Sequence, residues 1–418
     1  MGHALELVTR SGHPDFLDLP WSEPLAAWRT PRLVDMVHGA SRHVVRFVAY
    51  DERVYALKET SGGAAAREYR LLRALAEEGL PAVEAVGVAR TPGGDPDRDR
   101  AILVTRYLDY SLPYTYLLSE RHRPGLLDRL VDAGVVLLAR LHLEGFFWGD
   151  FSLSNALFRR DAGEFLAYLV DAETCEQHAE LGEPMRAHDV EIACENIAAG
   201  VADLQAGGLL GGEVDPLGAA ESFAARYAEL WAELTGEEVL RADERWRISR
   251  RMERLNAMGF DVEELAVVRS AGGDELRIRP TLVEEGHHSR ELARLTGLRV
   301  QENQARRLLN DLRAFASCLP EKLGREVPEA EAAYRWLADV YRAAMARVPP
   351  GLGSRREPAE LFHELLVHRD AMAARAGREV DIADALEDYL ESVLPVLPEE
   401  RVLRGSGEPR PAGDDLVR

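Results

Sequence analysis

The chain has 418 residues, 46% of them hydrophobic, and a formal net charge of −21 at neutral pH. This length predicts two or three domains, each with a core of its own. The charge argues against a protein that binds nucleic acid or an anionic membrane as a whole, because like charges repel.

The cysteines and the N-terminus predict a cytoplasmic protein. Cys175, Cys194 and Cys318 are widely separated and odd in number, so they form neither a disulfide framework nor a paired metal motif. The first nine residues lack the basic and then apolar pattern of a signal peptide. No run of about 18 apolar residues suggests a membrane-spanning helix.

The N-terminal third predicts a small sheet. Residues 1–32, which contain Trp21, Trp28 and several prolines, predict an extended arm that packs on a surface. A helix is predicted over 64–78, because apolar residues recur on one face. Five strands are predicted from short apolar or alternating runs, over 33–37, 44–50, 54–58, 83–89 and 101–107.

The sequence then becomes mostly helical. A long helix is predicted over 126–144, a hairpin over 156–170 with its turn at 161–163, and further helices over 188–200 and 222–234. Residues 236–397 predict a mostly helical domain. The tail, 398–418, has no periodicity and is predicted to be disordered.

Lys58 and Glu68 are candidate nucleotide-binding residues. Lys58 shares one face of its strand with Val54 and Ala56, so its ammonium can reach inward toward phosphate oxygens. A buried ammonium needs a counter-charge, which Glu68 in the following helix can supply. The alternative is that both are ordinary surface charges.

Asp150, Asn155 and Asp171 form a second candidate group. Asp150 and Asn155 lie five residues apart in an irregular segment, and Asp171 ends the predicted hairpin. Asp150 can orient an attacking hydroxyl, while the oxygens of Asn155 and Asp171 suit Mg²⁺. The alternative is that these residues form turns or end a strand.

Together these motifs resemble the protein-kinase-like superfamily, most closely its bacterial lipopolysaccharide-kinase-like and small-molecule kinase branch. The resemblance covers residues 33–235. It implies an α+β, bilobal fold with a small antiparallel sheet lobe, 33–105, and a helical lobe, 106–235. ATP would lie between the lobes, with its adenine at a hinge that includes Tyr107.

The resemblance also implies roles for individual residues. Lys58 would pair with Glu68 and with the phosphates, Asp150 would be the acidic residue of the catalytic loop, and Asn155 with Asp171 would bind Mg²⁺. Asp189 resembles the acid that braces the catalytic loop, although it is equally suited to cap a helix beginning at 188.

Three departures from the superfamily pattern concern the neighbours of these residues. Trp148 stands where a histidine is usual, and Asp171-Ala172-Glu173 replaces the usual Asp-Phe-Gly. The glycine-rich phosphate loop is reduced to residues 38–43. There Gly39 allows one close backbone approach, and Ser41 and Arg42 can add side-chain donors.

The C-terminal region, 225–395, resembles an actinobacterial domain of unknown function (DUF4032), a likeness that implies no activity. Residues 290–309 are superficially similar to a helix-turn-helix, and 245–315 contain 14 arginines against 11 acidic residues. A helical bundle with solvated arginines is favoured, because the overall charge opposes DNA. His363 and His368 are five residues apart and do not have the spacing of a helical zinc pair.

These patterns predict a phosphotransferase that uses ATP and Mg²⁺ to phosphorylate a hydroxyl of a small molecule, sugar or lipid precursor. The alternative is a catalytically weak nucleotide sensor that signals to a protein partner through its C-terminal domain. A DNA-binding regulator is the third possibility, and nucleic acid is not the expected partner.

Overall fold

The structure, a computed structural model, describes residues 5–37, 42–91, 99–119, 125–236, 238–241, 255, 264–269, 275–281, 286–401 and 403–404. The chain divides into two units. The first comprises Met1–Arg159, Leu166–Tyr227 and Val402–Arg418, and the second comprises Arg160–Phe165 and Ala228–Arg401. Among the described helices, none combines the length and apolar character needed to cross a membrane.

A seven-stranded sheet dominates the N-terminal part of the first unit. Its order is β1-β5-β6-β4-β3-β2-β15, with antiparallel pairing throughout. The strands are β1 (Glu6–Thr9), β2 (Leu33–Met36), β3 (Val45–Tyr50), β4 (Arg53–Ser61), β5 (Ala85–Thr91), β6 (Arg100–Arg106) and β15 (Leu403–Arg404).

Successive side chains of the central strand β4 point to opposite faces of the sheet and contribute to two different apolar clusters. Tyr55 and Leu57 are buried in one cluster, together with Phe16, Trp21 and Trp28 of the N-terminal arm. Because side chains alternate across a strand, Ala56 and Lys58 point to the opposite face. The sheet thus carries Lys58 on the face that the arm does not cover.

Two strands of this sheet lie outside the five predicted from the sequence. β1 pairs with β5, and β15 pairs with β2 through Leu403 and Met36. Both are short edge strands whose pairing depends on a partner distant in sequence, so their own patterns carry little signal. Apart from Leu403 and Arg404, the predicted tail beyond residue 401 lies outside the described residues.

The helix that follows β4, α1 (Gly62–Glu77), begins at Ser61, whose side chain accepts a hydrogen bond from the Ala64 N–H. Its buried positions recur at helical spacing and include Ala65, Glu68, Leu72 and Leu75. Glu68 therefore lies on the apolar face of α1, where a charged residue requires a partner.

The helical part of the first unit surrounds α3 (Leu126–Leu143), which is buried along most of its length. The other elements are β7 (Ser111–Pro113), α2 (Tyr114–Ser119), β8 (Phe146–Phe147), β9 (Ala156–Asp161), β10 (Glu164–Leu169), β11 (Glu176–Gln177), α4 (Glu183–Ala206) and α5 (Pro216–Thr235). The last residues of α5, from Ala228, belong to the second unit, as does the turn that joins β9 to β10.

Helix α4 begins five residues earlier than the sequence predicts. Gly182 precedes it, and Pro184 occupies its first turn, where a missing N–H costs nothing. Asp189 consequently lies in the second turn of α4 and is not its N-cap.

The second unit is mostly helical. A three-stranded sheet contains β12 (Glu238–Arg241), β13 (Glu264–Arg269) and β14 (Glu275–Thr281), in the order β12-β14-β13. The helices are α6 (His287–Thr296), α7 (Glu302–Leu323), α8 (Glu329–Arg335), which continues as a π-helix over Trp336–Arg342, α9 (Pro358–Ala376) and α10 (Ile382–Asp388).

The segment that is similar to a helix-turn-helix forms part of a common core. Leu292 of α6 and Leu308 of α7 pack in one apolar cluster with Trp336 and Phe362. The inward faces of both helices therefore pack as in a helical bundle. His368 contacts Asp388 at 2.6 Å, whereas His363 is buried, and the two share no ligand site.

The turn between β9 and β10 is held by buried polar groups of the second unit. Glu360 of α9 is fully buried and accepts hydrogen bonds from the backbone N–H groups of Ala162 (2.8 Å) and Gly163 (2.7 Å) and from Gln304 Nε2 (3.0 Å). Asp161 accepts from the backbone N–H groups of Asn303 (3.2 Å) and Gln304 (2.8 Å). The turn and the start of α7 thus satisfy one another's backbone groups.

The stability of the protein is expected to fall as the pH rises through the range in which Glu360 ionises. Burial raises the pKa of Glu360 from 4.5 to about 7. Between these values the folded protein holds a proton that the unfolded chain has released, so the free energy of unfolding decreases with increasing pH, by at most about 3 kcal/mol. Urea unfolding at pH 5 and pH 8 measures this change, which should be smaller in Glu360→Gln; the remaining change includes the contribution of Glu68, whose pKa is also raised to about 7. Parallel pH dependences of the two proteins would contradict the prediction.

Candidate active site

A cavity of about 450 Å³ lies in the first unit, where the sheet face of Lys58 meets the segments around α4. The sheet and hinge contribute Val45, Ala56, Lys58, Leu103 and Tyr107, and α1 contributes Glu68. The helical part contributes Tyr114, Asp150, Ser152, Ser154, Asn155, Leu157, Val170, Asp171, Asn196, Ala199, Gly200 and Asp203. The cavity is apolar near the hinge and charged at its opposite end. Such a cavity suits a ligand that has a flat ring at one end and several negative charges at the other.

Lys58 is the centre of a charged cluster in this cavity. Its Nζ lies 3.1 Å from Glu68 Oε2, 2.8 Å from Asp171 Oδ2 and 3.5 Å from Glu173 Oε2. Burial lowers the pKa of Lys58, but Glu68 and Asp171 outweigh it, so this pKa is raised. Burial, with nearby carboxylates, raises the pKa of Glu68 to about 7.

The cluster contains more carboxylates than lysine can neutralise. Glu68, Asp171 and Glu173 each have an oxygen within 4.8 Å of the others, and this is the one such group among the described His, Cys, Asp and Glu side chains that can hold a metal ion. Hard oxygen donors and excess negative charge are the features that Mg²⁺ requires. This donor set, which includes Asp171, therefore fits a magnesium ion, and Asn155 lines the same cavity.

Asp150 is positioned by two amides. Asn155 Nδ2 donates to Asp150 Oδ2 and to the Asp150 carbonyl, both at 2.9 Å. Asn196 Nδ2 donates to Asp150 Oδ1 at 3.3 Å and to the Phe151 carbonyl at 2.9 Å. Each carboxylate oxygen thus has a neutral donor, which fixes its orientation and leaves the group able to accept another hydrogen bond.

Asp189 braces the segment that carries Asp150. It is fully buried, and its carboxylate accepts from the backbone N–H groups of Trp148 (2.7 Å) and Gly149 (2.9 Å). Gly149 has φ of +74°, and a Cβ there would lie 2.8 Å from the Phe147 ring, so glycine is needed at this bend. This arrangement matches the role that the family resemblance implies for Asp189.

A histidine and a tyrosine complete this brace. His142 Nε2 lies 3.0 Å from Asp189 Oδ2, and its Nδ1 lies 2.6 Å from Tyr227 Oη. Burial lowers the pKa of His142, so the ring is neutral and carries one proton. Because a carboxylate only accepts, that proton is on Nε2, and Nδ1 accepts from the Tyr227 hydroxyl.

Trp148 replaces the usual histidine with a different connection. Its indole N–H donates to the Asp171 carbonyl at 3.2 Å, and its own carbonyl accepts from Thr174 Oγ1 at 2.9 Å. The fully buried ring also packs edge-on against Phe151. Trp148 therefore links the Asp150 segment to the Asp171 segment.

Two predicted site residues, Gly39 and Ser41, lie outside the described residues. The adjoining Arg42 Nη2 lies 3.2 Å from Glu173 Oε1, and His43 Nε2 lies 3.0 Å from Glu173 Oε2. Tyr107 lines the cavity with its ring against Phe47, and its N–H donates to the Val54 carbonyl.

Several residues of the site were not predicted as functional from the sequence. Glu173 was recognised only as a departure from the family pattern, and Asn196 and His142 were not recognised at all. Asn196 lies seven residues after Asp189 and so, two turns along α4, on a nearby face. The predicted helix over 188–200 already contains this spacing, but nothing in the local sequence indicates that this face of the helix meets Asp150.

Comparison with known families agrees with both predicted resemblances. Residues 48–193 match the model of the lipopolysaccharide kinase (Kdo/WaaP) family. Residues 229–394 match a domain of unknown function, DUF4032. No curated protein matches the chain.

Two solved structures are similar to part of the chain. One, WaaP in complex with acyl carrier protein, is 18% identical with a TM-score of 0.34, covering 54% of this chain and 89% of its own. The other, an aminoglycoside-3'-phosphotransferase of type VIII, is 19% identical with a TM-score of 0.34, covering 48% of this chain and 86% of its own.

The predicted fold class is confirmed. In the first unit an antiparallel sheet lobe is followed by a helical lobe, and a mostly helical C-terminal region follows.

Proposed function

We propose that the first unit is a phosphotransferase that uses ATP and Mg²⁺ to phosphorylate a hydroxyl group of a small molecule, sugar or lipid precursor. The observation that carries this proposal is the convergence of Lys58, Asp150, Asn155 and Asp171 on one cavity. The match to the lipopolysaccharide kinase family supports a kinase and leaves the acceptor open.

Each group of residues in the cavity would contact a different part of ATP. The apolar residues near the hinge suit adenine, and Lys58 suits the α- and β-phosphates once its contact with Asp171 is exchanged for phosphate oxygens. Asp171 and Asn155 would hold Mg²⁺, which supplies charge neutralisation at the phosphates. Glu68 keeps Lys58 oriented, because its fully buried carboxylate remains beside Nζ.

Asp150 would receive the acceptor. A hydroxyl donating to its carboxylate is oriented toward the γ-phosphorus; a bond forms between the acceptor oxygen and phosphorus, and the bond between phosphorus and the β–γ bridging oxygen breaks. ADP leaves with the bond's electron pair, and the hydroxyl proton passes to Asp150. The amides of Asn155 and Asn196 hold the carboxylate in place during this transfer.

A nucleotide-sensing function is the second candidate, and one feature favours it. Glu173 forms ion pairs with Lys58, at 3.5 Å, and with Arg42, at 3.2 Å. These are the two cations best placed to bind phosphates. ATP must displace these contacts, so its binding would rearrange the segment that contains Glu173. Such a change could signal occupancy to a protein partner even where turnover is slow.

Transfer of the γ-phosphoryl group from labelled ATP tests the first proposal. The protein is incubated with Mg²⁺ and a panel of sugars, polyols and lipid precursors, and labelled products are separated. Mg²⁺-dependent transfer supports the enzyme, and the product identifies the acceptor. Binding of ATP without transfer or hydrolysis would contradict the enzyme and favour the sensor.

The acceptor would lie along the face of α4 that lines the cavity beyond Asp150. Asn196 contacts Asp150, and Ala199, Gly200 and Asp203 follow at helical spacing on the same wall. A Cβ added at Gly200 would have no neighbour within 4 Å, so the space beside it is open.

Gly200→Leu is therefore expected to lower transfer to the acceptor by about a hundredfold, because a bulky side chain displaces the reacting hydroxyl. Binding of ATP should be unchanged. The helix should not be weakened, since leucine favours helix more than glycine does. Initial rates and ATP titrations measure the two effects, with Gly200→Ala as the graded control. Equal loss of acceptor transfer and ATP binding would contradict this location.

A further inference from the structure

The hairpin formed by β9 and β10 joins the two candidate metal ligands. Asn155 immediately precedes β9, and Asp171 follows β10 by two residues. At the base of the hairpin the Val170 N–H donates to the Asn155 carbonyl at 3.1 Å. The positions of the two ligands relative to each other are thus set by one short piece of antiparallel structure.

The opposite end of this hairpin is a two-residue turn in which both central residues have positive φ. Ala162 has φ of +55°, uncommon for a residue with a side chain, and Gly163 has φ of +87°. The backbone N–H groups of Ala162 and Gly163 point to the same side of the turn, where the Glu360 carboxylate accepts a hydrogen bond from each. A buried carboxylate therefore holds a turn in which Ala162 has an unfavourable backbone conformation.

Further buried groups surround the same turn in the second unit. Arg160 Nε contacts Glu400 Oε1 at 2.5 Å, and Arg356 Nη1 contacts the same oxygen at 2.9 Å. Gln304 donates to both Glu360 (3.0 Å) and the Arg160 carbonyl (3.2 Å). Because Gln304, Arg356 and Glu400 are buried, loss of one partner leaves another polar group unsatisfied.

We infer that Glu360 is a positioning residue for the metal ligands of the proposed kinase, acting through the β9–β10 hairpin. This gives the domain of unknown function a role: it holds the turn, and the paired strands transmit that constraint to Asn155 and Asp171. The inference rests on the proposed function only in naming those two residues as the ligands of Mg²⁺. Glu360 lies in the matched part of that domain.

The hairpin is suited to such a role because it is short and paired. β9 and β10 each contain six residues, and β9 also pairs with β7 through Leu112 and Phe158. A paired strand resists bending, so a shift of the turn is carried along the strands. The apolar Phe158 and Leu169 are buried and prevent the strands from sliding apart.

Substitution of Glu360 by glutamine in the full-length protein tests this inference. The amide group cannot accept at both ends, so at least one of the three donors loses its partner. We expect Glu360→Gln to raise the Mg²⁺ concentration for half-maximal binding of ATP by about two- to thirtyfold, the range of energies found for coupled networks. Binding of ATP without Mg²⁺ should equal that of the wild type.

Calorimetric titration of ATP at a series of Mg²⁺ concentrations gives both quantities and requires no turnover. A protein that binds Mg-ATP but transfers no phosphate would contradict the proposed enzyme and leave this measurement intact. Asp161→Asn, on the other side of the same turn, should change the Mg²⁺ dependence in the same direction.

The control is Glu321→Gln, an exposed glutamate of α7, which should behave as the wild type. A purely structural role would lower the unfolding temperature of Glu360→Gln and leave its Mg²⁺ dependence unchanged. That result, at a temperature where the variant is folded, would overturn the inference. A selective shift in Mg²⁺ dependence in both turn variants would support it.

Discussion

Replacing Asp150 with asparagine is expected to lower the kcat of phosphoryl transfer by about 10²- to 10⁴-fold. Asparagine has nearly the same shape and can still accept a hydrogen bond from Asn155 through its carbonyl oxygen. Its NH₂ group then faces Asn196, which keeps its 2.9 Å hydrogen bond to the Phe151 carbonyl. It cannot accept a proton from the acceptor. The substitution therefore separates the proton-accepting role of Asp150 from its contribution to the geometry of the segment.

The same variant should retain the affinity of the protein for Mg-ATP. Asp150 lines the cavity but, in the proposed arrangement, contacts the acceptor and not the phosphates. Initial rates with saturating acceptor, together with ATP titrations, measure the two effects. Asp35→Asn, at an exposed position on β2, is the matched control.

Two results would contradict the assignment. A kcat within threefold of the wild type would mean that Asp150 has no chemical role, and equal loss of Mg-ATP binding would mean that it belongs to the metal site. The second result is physically meaningful, because Asn155 bonds both the carboxylate and the carbonyl of Asp150. A change at Asp150 can reach the metal through this amide.

The sequence predicts those site residues whose orientation follows from the pattern within a single strand or helix. Alternation along β4 predicts the inward direction of Lys58, and helical spacing predicts the inward face of α1 that carries Glu68. The structure places their charged atoms 3.1 Å apart. Both residues are detectable because their own neighbours in the sequence reveal their faces.

The rest depends on contacts between segments distant in sequence. Asp189 is suited to a cap by local pattern, and only the approach of the Trp148 and Gly149 backbone makes it a brace. Glu360 lies nearly 200 residues from the turn that it holds. No periodicity within a helix indicates which distant N–H groups its buried carboxylate will meet.

Asp189→Asn is expected to destabilise the first unit and to lower kcat together. The fully buried carboxylate accepts from two backbone N–H groups and from His142, and an amide at this position must turn its NH₂ toward one of these donors. Hydrogen bonds to a buried charge are stronger than neutral ones, and the abandoned donor has no water to replace them. We expect the free energy of unfolding to fall by about 3 kcal/mol.

The loss of activity should exceed what partial unfolding explains. Asp189 fixes the two residues that precede Asp150, so its removal displaces the catalytic carboxylate, and a displacement of about 1 Å can cost a hundredfold in rate. Urea unfolding gives the stability, and kcat is measured at a temperature where the variant is fully folded. Glu195→Gln, at an exposed position on the same helix, controls for a general effect on α4.

The free energy of unfolding and the kcat together distinguish two roles for Asp189: a brace, which positions the Asp150 segment, and an anchor, which only stabilises the fold. An anchor stabilises the fold but leaves the Asp150 segment in place, so the folded variant would transfer phosphate at the wild-type rate. A brace loses rate even when folded, and Tyr227→Phe should then show a smaller loss of the same kind, because it removes only the hydroxyl that orients His142. Since Asp189 contacts neither the cavity lining nor the metal cluster directly, a selective fall in kcat would show that backbone position alone limits the chemistry.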